Sequence, residues 1–310
     1  MAERCGSKKC TRADAAIVAA VCLFLVILVP VLFARPREQS VRRLCAANLA
    51  QIGKAMLLYA GENEGAFPRA GEPNTVWGTT MNWMATDRRT AFGITADGSG
   101  GTASINASFY LLVKYEGLSP RVFVCRGDKG TTAFDLSKRT DVPGTYEPED
   151  AWDFGDTTES YKHCSYAYHI PYSQYALMTS RDPNLAVAAD RNPWIASPAA
   201  LASTFALFLP GRDAPGGTAR DEVARMGNSI THQRDGQNVL FRDGRVTFEK
   251  RSYCGVGQDN IYTVSRLPGT GDCYGVQPVV APVVGAANDK DSLLVHDPPI
   301  VARGPDRKRR

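Results

Sequence analysis

Two residues able to share a proton stand close together late in the chain, His232 and Asp243. They are separated by ten residues in the run His232-Gln-Arg-Asp-Gly236-Gln-Asn238-Val-Leu-Phe241-Arg-Asp243-Gly244-Arg-Val246. An imidazole beside a carboxylate does general acid–base or nucleophilic work once the two lie within hydrogen-bond reach. The surrounding pattern argues for a different use. Asn238–Arg242 and Arg245–Lys250 alternate as strands around Asp243-Gly244, which predicts a hairpin closed by a two-residue type I′ turn. In that register Phe241 faces Val246 and Val239 faces Phe248, giving one apolar face, and Asp243-Gly244 makes the turn. Five extended steps from Asn238 to Asp243 cover about 16 Å at ~3.3 Å each, so His232 is expected near the end of the strand opposite the turn. A structural His232, hydrogen-bonding its loop or nearby backbone, is the reading favoured here. The chain contains no G-x-S-x-G, H-E-x-x-H or P-loop motif that would supply a different catalytic centre.

Metal chemistry finds little in the spacing. Of eight cysteines, Cys45, Cys125, Cys164, Cys254 and Cys273 lie in the body of the chain, without the close C-x-x-C or Cys/His spacing of zinc sites. Widely spaced cysteines in a loop-rich chain suit disulfides. Cys254–Cys273 is the first candidate and Cys125–Cys164 the second, although spacing does not settle connectivity. His163, His169 and His296 are isolated from ligand-like neighbours, and packed or exposed roles are expected for each. Calcium is the best remaining cofactor candidate: the acidic stretch Asp150–Asp156 and the pair Asp289 and Asp291 offer oxygen ligands. No EF-hand spacing organises them, so solvated loops are expected and no cofactor is assigned.

The segments that must position these residues are unevenly charged. The formal charge of +4 combines basic ends with an acidic body. Residues 1–14 hold four bases and two acids, residues 35–43 four bases and one acid, and residues 303–310 five bases and one acid. An excess of bases at the chain ends and beside an apolar run, with no aromatics interleaved, does not support nucleic-acid binding. Hydrophobic residues at 44% and charged residues at 22% are those of an ordinary folded protein. Ala15–Ala34 is uncharged throughout, about the 20 residues that cross a bilayer. The expectation is an uncleaved transmembrane anchor after a basic cytoplasmic leader (1–14), with the lipid bilayer as partner. The cysteine usage places the head on the extracytoplasmic side.

From 35 to 61 the steps of three and four between Val41, Leu44, Cys45, Leu49, Ile52, Met56 and Tyr59 predict an amphipathic stalk helix. Pro36 is expected to interrupt or bend its junction with the membrane helix, and Gly61 to end it. Residues 62–275 form a loop-rich head, with a helix over 108–118 capped by Gly117 and strands at 122–124, 165–170 and 185–190. Residues 276–310 form a Pro/Val-rich extended tail with a disordered basic end. The apolar stripe of the stalk must lie on something, and a sheet later in the chain is the simplest partner. The expected fold is α+β: a long N-terminal helix, membrane plus amphipathic stalk, packed on an antiparallel β-sheet with long loops.

That plan is the plan of a type IV pilin or pseudopilin, and the residues narrow it. Cys45-Ala-Ala-Asn48-Leu49-Ala-Gln51-Ile52-Gly53-Lys-Ala-Met56-Leu-Leu-Tyr59, with Gly65-Ala-Phe67-Pro68, resembles the stalk of the prepilin-like proteins abundant in planctomycetes. Ser119-Pro120-Arg-Val-Phe123-Val-Cys125-Arg-Gly-Asp128 resembles that family's Phe-x-Cys-Pro-Ser-Asp segment, with Arg126 in place of proline. The run from His232 to Val246 is similar to its C-terminal His…Asp-Gly signature, here with His232, Gly236, Asn238, Asp243 and Gly244. The resemblance implies a membrane-anchored envelope protein with a structural, assembly or secretion-related role and with other pilin-like or envelope proteins as partners. Asp14 stands where pilins carry a membrane-embedded glutamate, and Lys9 where their leader has glycine; an interfacial acid in an uncleaved anchor is the favoured reading. The competing expectation is an anchored ligand binder or hydrolase acting on polysaccharide. A deep pocket lined by Trp83, Trp152, Trp194 or paired acids would favour it.

Overall fold

Helix α1 runs from Arg12 to Glu62, 51 residues, and continues through Pro30 and Pro36, so the expected interruption at Pro36 is absent. Its end also falls later than expected. Gly61 is helical, and the reversal occurs at Gly65, whose φ is +82° and whose N–H donates to Ala60 O at 2.8 Å. The left-handed reversal covers Glu64 (φ +53°) as well as Gly65, and glycine enters that region at the least cost.

The computed structural model describes residues 12–139, 142, 144–156, 158–172, 174–208, 221–265, 275–278 and 285–299; the side chains of 12–15, 27–37 and 221 are outside that description. The chain forms two compact units, Met1–Val41 and Arg42–Arg310. In the first, Ile17, Val18, Val21 and Leu23–Val26 are exposed on α1. Among the described residues no helix is long and apolar enough to cross a membrane, and this corrects the expectation of a single-pass anchor with a cytoplasmic N-terminus and an extracytoplasmic head. The leader (1–11), the side chain of Asp14 and the side chains of 27–34 lie outside the described residues.

The second unit is α+β. Two short parallel strands, β1 (Val76–Trp77) and β2 (Thr102–Ala103), pair with each other. The main sheet is antiparallel, in the order β6-β5-β4-β3-β7, with β3 Tyr166–His169, β4 Ala186–Asp190, β5 Gln237–Phe241, β6 Val246–Glu249 and β7 Leu294–Val295. Helices α2 (Arg88–Phe92), α3 (Ile105–Glu116), α4 (Phe205–Phe208) and α5 (Asp221–Met226) accompany it. Helix α3 begins three residues before the sequence pattern suggests because Ser104 Oγ caps it, accepting from Ala107 N, while Gly117 ends it at φ +62° as expected. Pro120–Phe123 is a 3-10 turn where the sequence suggests a strand at 122–124; proline at its first position favours the turn.

The hairpin differs from expectation by one residue. Leu240 faces Val246 and Asn238 faces Phe248, so the loop is Arg242-Asp243-Gly244, three residues closed by Phe241 N–H to Arg245 O at 2.9 Å. Gly244 alone takes positive φ (+87°), the arrangement of a type I turn followed by a left-handed residue rather than a type I′ turn. A one-residue slip exchanges the faces of a strand. Val239 and Phe241 therefore join Ala167, Ala189, Trp194, Phe208, Tyr262 and Leu294 in a core on one side of the sheet. Leu240 and Asn238 turn to the other side, where the second unit's part of α1 lies.

On that side Cys45, Leu49, Ile52 and Met56 are each 1% exposed or less. Leu240 packs so closely on Gly53 that a Cβ there would sit 2.7 Å from Leu240 Cδ1, so glycine sets the helix–strand approach. The Arg42 guanidinium stacks 4.5 Å from the Phe248 ring centre and pairs with Asp235 at 2.7 Å. Leu44, expected on the packing face, is 46% exposed: it precedes Cys45 by one residue, and the buried stripe passes through Cys45 instead. Val41 belongs to the first unit and is half-buried there. The division at residue 275 also needs correction. Val276 bridges to Val264, β7 pairs with β3, and Asp291–Asp297 are buried. The basic end (300–310) lies outside the described residues.

Candidate functional site

The buried stripe of α1 brings Cys45 to Cys125, and the two form a disulfide with a Cα–Cα distance of 5.2 Å across 80 residues of sequence. The expected Cys125–Cys164 bridge is thereby excluded, because a cysteine has one sulfur to share and Cys125 lies against the helix. Cys164 remains a buried thiol whose Sγ donates to Tyr166 O, and burial pushes it up to about 12. Cys254 is a free thiol raised by burial, and Cys273 lies outside the described residues.

Against the disulfide stands His232, at the end of a 3-10 turn (Ile230–His232) after which Gln233 and Arg234 take positive φ (57° and 60°). This tight reversal lets the chain enter β5 at once, through Gly236 at φ +150°, where any Cβ would meet Glu249 O at 2.4 Å. His232 Nε2 lies 3.8 Å from Cys125 Sγ, 3.3 Å from Asn238 Nδ2 and 3.4 Å from Asp190 Oδ2. Asp190 ends β4 and is held by β5: Asn238 N–H donates to its Oδ2 at 2.7 Å. His232 and Asp190 are fully buried, and Asp190 Oδ1 has no hydrogen-bond partner among the described residues. Burial raises the Asp190 pKa, against the opposing influence of His232. Gly127 leaves room for this packing, since a Cβ there would come within 2.7 Å of Thr231 O and 3.2 Å of the His232 ring. The next residue, Asp128, forms a buried ion pair with Arg191 at 2.7 Å, and Arg191 also donates to Tyr161 O and Cys164 O.

His232 and Asp243 do not meet. Asp243 sits in the hairpin loop, paired at the surface with Arg245 at 2.6 Å. The carboxylate that does meet His232 is Asp190, which the sequence shows only as the acid ending an otherwise apolar strand. That position is the available signal: an acid in register with buried residues needs a buried partner.

A second buried polar cluster lies at the N-terminus of α3. Asp297 Oδ1 accepts from Trp77 Nε1 (2.8 Å) and Ile105 N (3.0 Å), and its Oδ2 accepts from Asn106 N (2.8 Å). Asp153 accepts from Thr80 and Ser104 hydroxyls at Oδ2, and from Phe154 N and the Ser160 hydroxyl at Oδ1. Burial, with the nearby Asp297 charge adding to it, raises Asp153 to about 6. The two acids line a cavity of about 160 Å³ with Thr79, Tyr161 and Pro298.

The remaining expectations fall into place around these clusters. Of the acids considered for calcium, Asp150 caps Glu147 N, Asp156 accepts from Thr158 and pairs with Arg139, and Asp291 Oδ2 accepts from Ser265 and Ala287 while its Oδ1 has no hydrogen-bond partner among the described residues. Among the described residues, Cys45, Cys125 and His232 are the one set of three whose potential ligand atoms lie within 4.8 Å of one another. Trp77, Trp83, Trp152 and Trp194 are all buried, and of these Trp77 lines the cavity at Asp153 and Asp297 while Trp83, Trp152 and Trp194 do not. His169 and His296 face the backbone carbonyls of Asp291 and Ala196, and burial lowers His169 to about 4. No family model, curated protein or solved structure matches this chain.

Proposed function

We infer that this chain is a pilin-like structural protein, acting in assembly or secretion with other pilin-like proteins rather than in catalysis. The observation that supports this most is the division of labour along α1. Its C-terminal part buries Leu49, Ile52 and Met56 beneath the sheet and is tied down by Cys45–Cys125, while Leu57 and Leu58 remain exposed on its other face. Ile17–Val26, further along the same helix, are exposed as well, a large apolar surface of the kind that marks protein association. The helix is the assembly element in this reading and the head loops are the recognition surface.

The alternative, a polysaccharide-binding protein or hydrolase, is favoured by the cavity at Asp153 and Asp297. That cavity is smaller than the roughly 300–1,000 Å³ typical of ligand pockets. Both oxygens of each carboxylate already accept protein donors, so neither acid is free to act on a substrate.

The test uses Cys22, an exposed free thiol within the apolar stretch. A bis-maleimide added to the full chain should give Cys22-dependent dimers, lost in Cys22→Ser and strongly reduced in Phe24→Asp. A chain that stays monomeric by sedimentation and yields no such cross-link contradicts the assembly reading.

A further inference from the structure

The cluster beneath α1 holds four residues whose chemistry fits a metal ion better than a plain disulfide. Cys45, Cys125, His232 and Asp190 are each 1% exposed or less, and they come from four separated segments. A four-coordinate zinc ion, with Zn–S of about 2.3 Å and Zn–N or Zn–O of about 2.0–2.1 Å, sets nitrogen and oxygen ligands about 3.4 Å apart and sulfur and nitrogen about 3.6 Å apart. The protein holds Asp190 Oδ2 at 3.4 Å and Cys125 Sγ at 3.8 Å from His232 Nε2. Asn238 Nδ2 lies 3.3 Å from that same nitrogen, so Nε2 is the ring atom turned into the cluster. The orphaned Asp190 Oδ1 is a second and independent sign: a buried carboxylate oxygen without a donor is the kind of group a cation satisfies. Cys45, Cys125 and His232 already hold their ligand atoms within 4.8 Å of one another, and Asp190 reaches that set through His232. Breaking the S–S bond frees the two sulfurs, which stand too close for a tetrahedral site, to separate, and the Asp190 carboxylate closes on the ion as they do.

We propose that Cys45–Cys125 is the oxidised form of a site of two cysteines, one histidine and one aspartate that, when reduced, binds one thiophilic divalent cation of the zinc class. Reduction by a water-soluble phosphine breaks the S–S bond; the phosphine gives up two electrons and takes an oxygen atom from water, and each sulfur gains a proton. Metal binding then expels those two protons as Cys45 and Cys125 become thiolate ligands. His232 Nε2 supplies the third ligand and the Asp190 carboxylate the fourth. The same four residues therefore hold α1 on the head in either state, by a covalent bond or by an ion.

Cobalt(II) is the probe, because thiolate ligation gives a sulfur-to-metal charge-transfer band and four-coordination gives intense visible bands. The full chain treated with phosphine and one equivalent of cobalt(II) should show both, at one cobalt per chain, and zinc(II) should displace it. The oxidised chain should show neither. Chain produced under reducing conditions and never oxidised should give the same spectrum, which removes any dependence on reducing a buried bond in place. Cys45→Ser should weaken the charge-transfer band, and Cys45→Ser with Cys125→Ser should abolish it. Asp190→Asn, close in shape to the native residue, should weaken cobalt binding at least about tenfold, the scale seen when groups around a metal site are altered. An unchanged band in Cys45→Ser would place the metal on other cysteines and overturn the proposal. So would no band in either reduced preparation, or undiminished affinity in Asp190→Asn.

Discussion

Two of the buried polar clusters among the described residues are built on opposite principles. At the α3 N-terminus, Asp153 and Asp297 are enclosed by hydroxyl and N–H donors that leave no carboxylate oxygen unbonded. Beneath α1, Asp190 keeps one oxygen without a partner and shares its other with Asn238, beside a histidine and two sulfurs. A saturated cage is architecture: it joins β1, α3 and the C-terminal segment through Asp297 at little net cost. An unsaturated one carries strain that only a further interaction relieves. The contrast is why the proposed metal site is placed at the junction of helix and sheet and not in the cavity beside Asp153.

The largest test of that contrast is loss of the disulfide. In chain-entropy terms, closing an 80-residue separation is worth about 4 kcal/mol, so Cys45→Ala with Cys125→Ala should lower the urea-unfolding free energy by about that amount. A change below about 1 kcal/mol would show that the helix is held by packing alone. Next, Asp297→Ala strands Trp77 Nε1, Ile105 N and Asn106 N and should cost about 3 kcal/mol or more, measured the same way, at roughly 1–3 kcal/mol for each orphaned buried group. If the cage were merely a solvated pocket, water would replace the carboxylate and the loss would be small.

The smallest effect is one of pH. Asp153 is raised to about 6 in the folded protein from 3.8, so between those values the native state binds more protons than the unfolded state. Its contribution is fully present below pH 3.8 and is lost as pH rises through about 6. From this group the protein should be about 1 kcal/mol more stable near pH ~5 than near pH ~7. Three of its partners are hydroxyls, which rotate to accept a proton as readily as they donate one, so the cage accommodates both forms. Urea midpoints across this range should show the trend in the native chain and a smaller one in Asp153→Asn, where Asp291, which burial also raises to about 6, still contributes.

Much of the frame was readable from the sequence because it rests on local physics. The stripe through Leu49, Ile52 and Met56, the Gly117 cap and the strands containing Tyr166–His169 and Ala186–Asp190 follow from period and turn chemistry. What escaped depends on long-range geometry. The register of the hairpin turned on whether Gly244 closes a two- or three-residue loop, and that single residue decided that Val246 lies opposite Leu240 and not Phe241. Cysteine pairing depends on spatial proximity, and neither Cys45 nor Cys125 carries a local mark of the other. Asp297 at the α3 N-terminus, far along the chain from Asn106, leaves no trace in helix periodicity; it shows only as an acid following an apolar stretch. The apolar run at Ala15–Ala34 invites a membrane reading by composition alone, and among the described residues no helix meets the length and hydropathy a span demands.

The central claim is that the N-terminal helix is bound to the head at the His232 cluster. Proteolysis of the full chain without reduction, followed by mass spectrometry, tests it directly. The account predicts a cross-linked peptide pair joining Cys45 to Cys125, with Cys164 recovered as a free thiol. A Cys125–Cys164 pair, with Cys45 free, would contradict it.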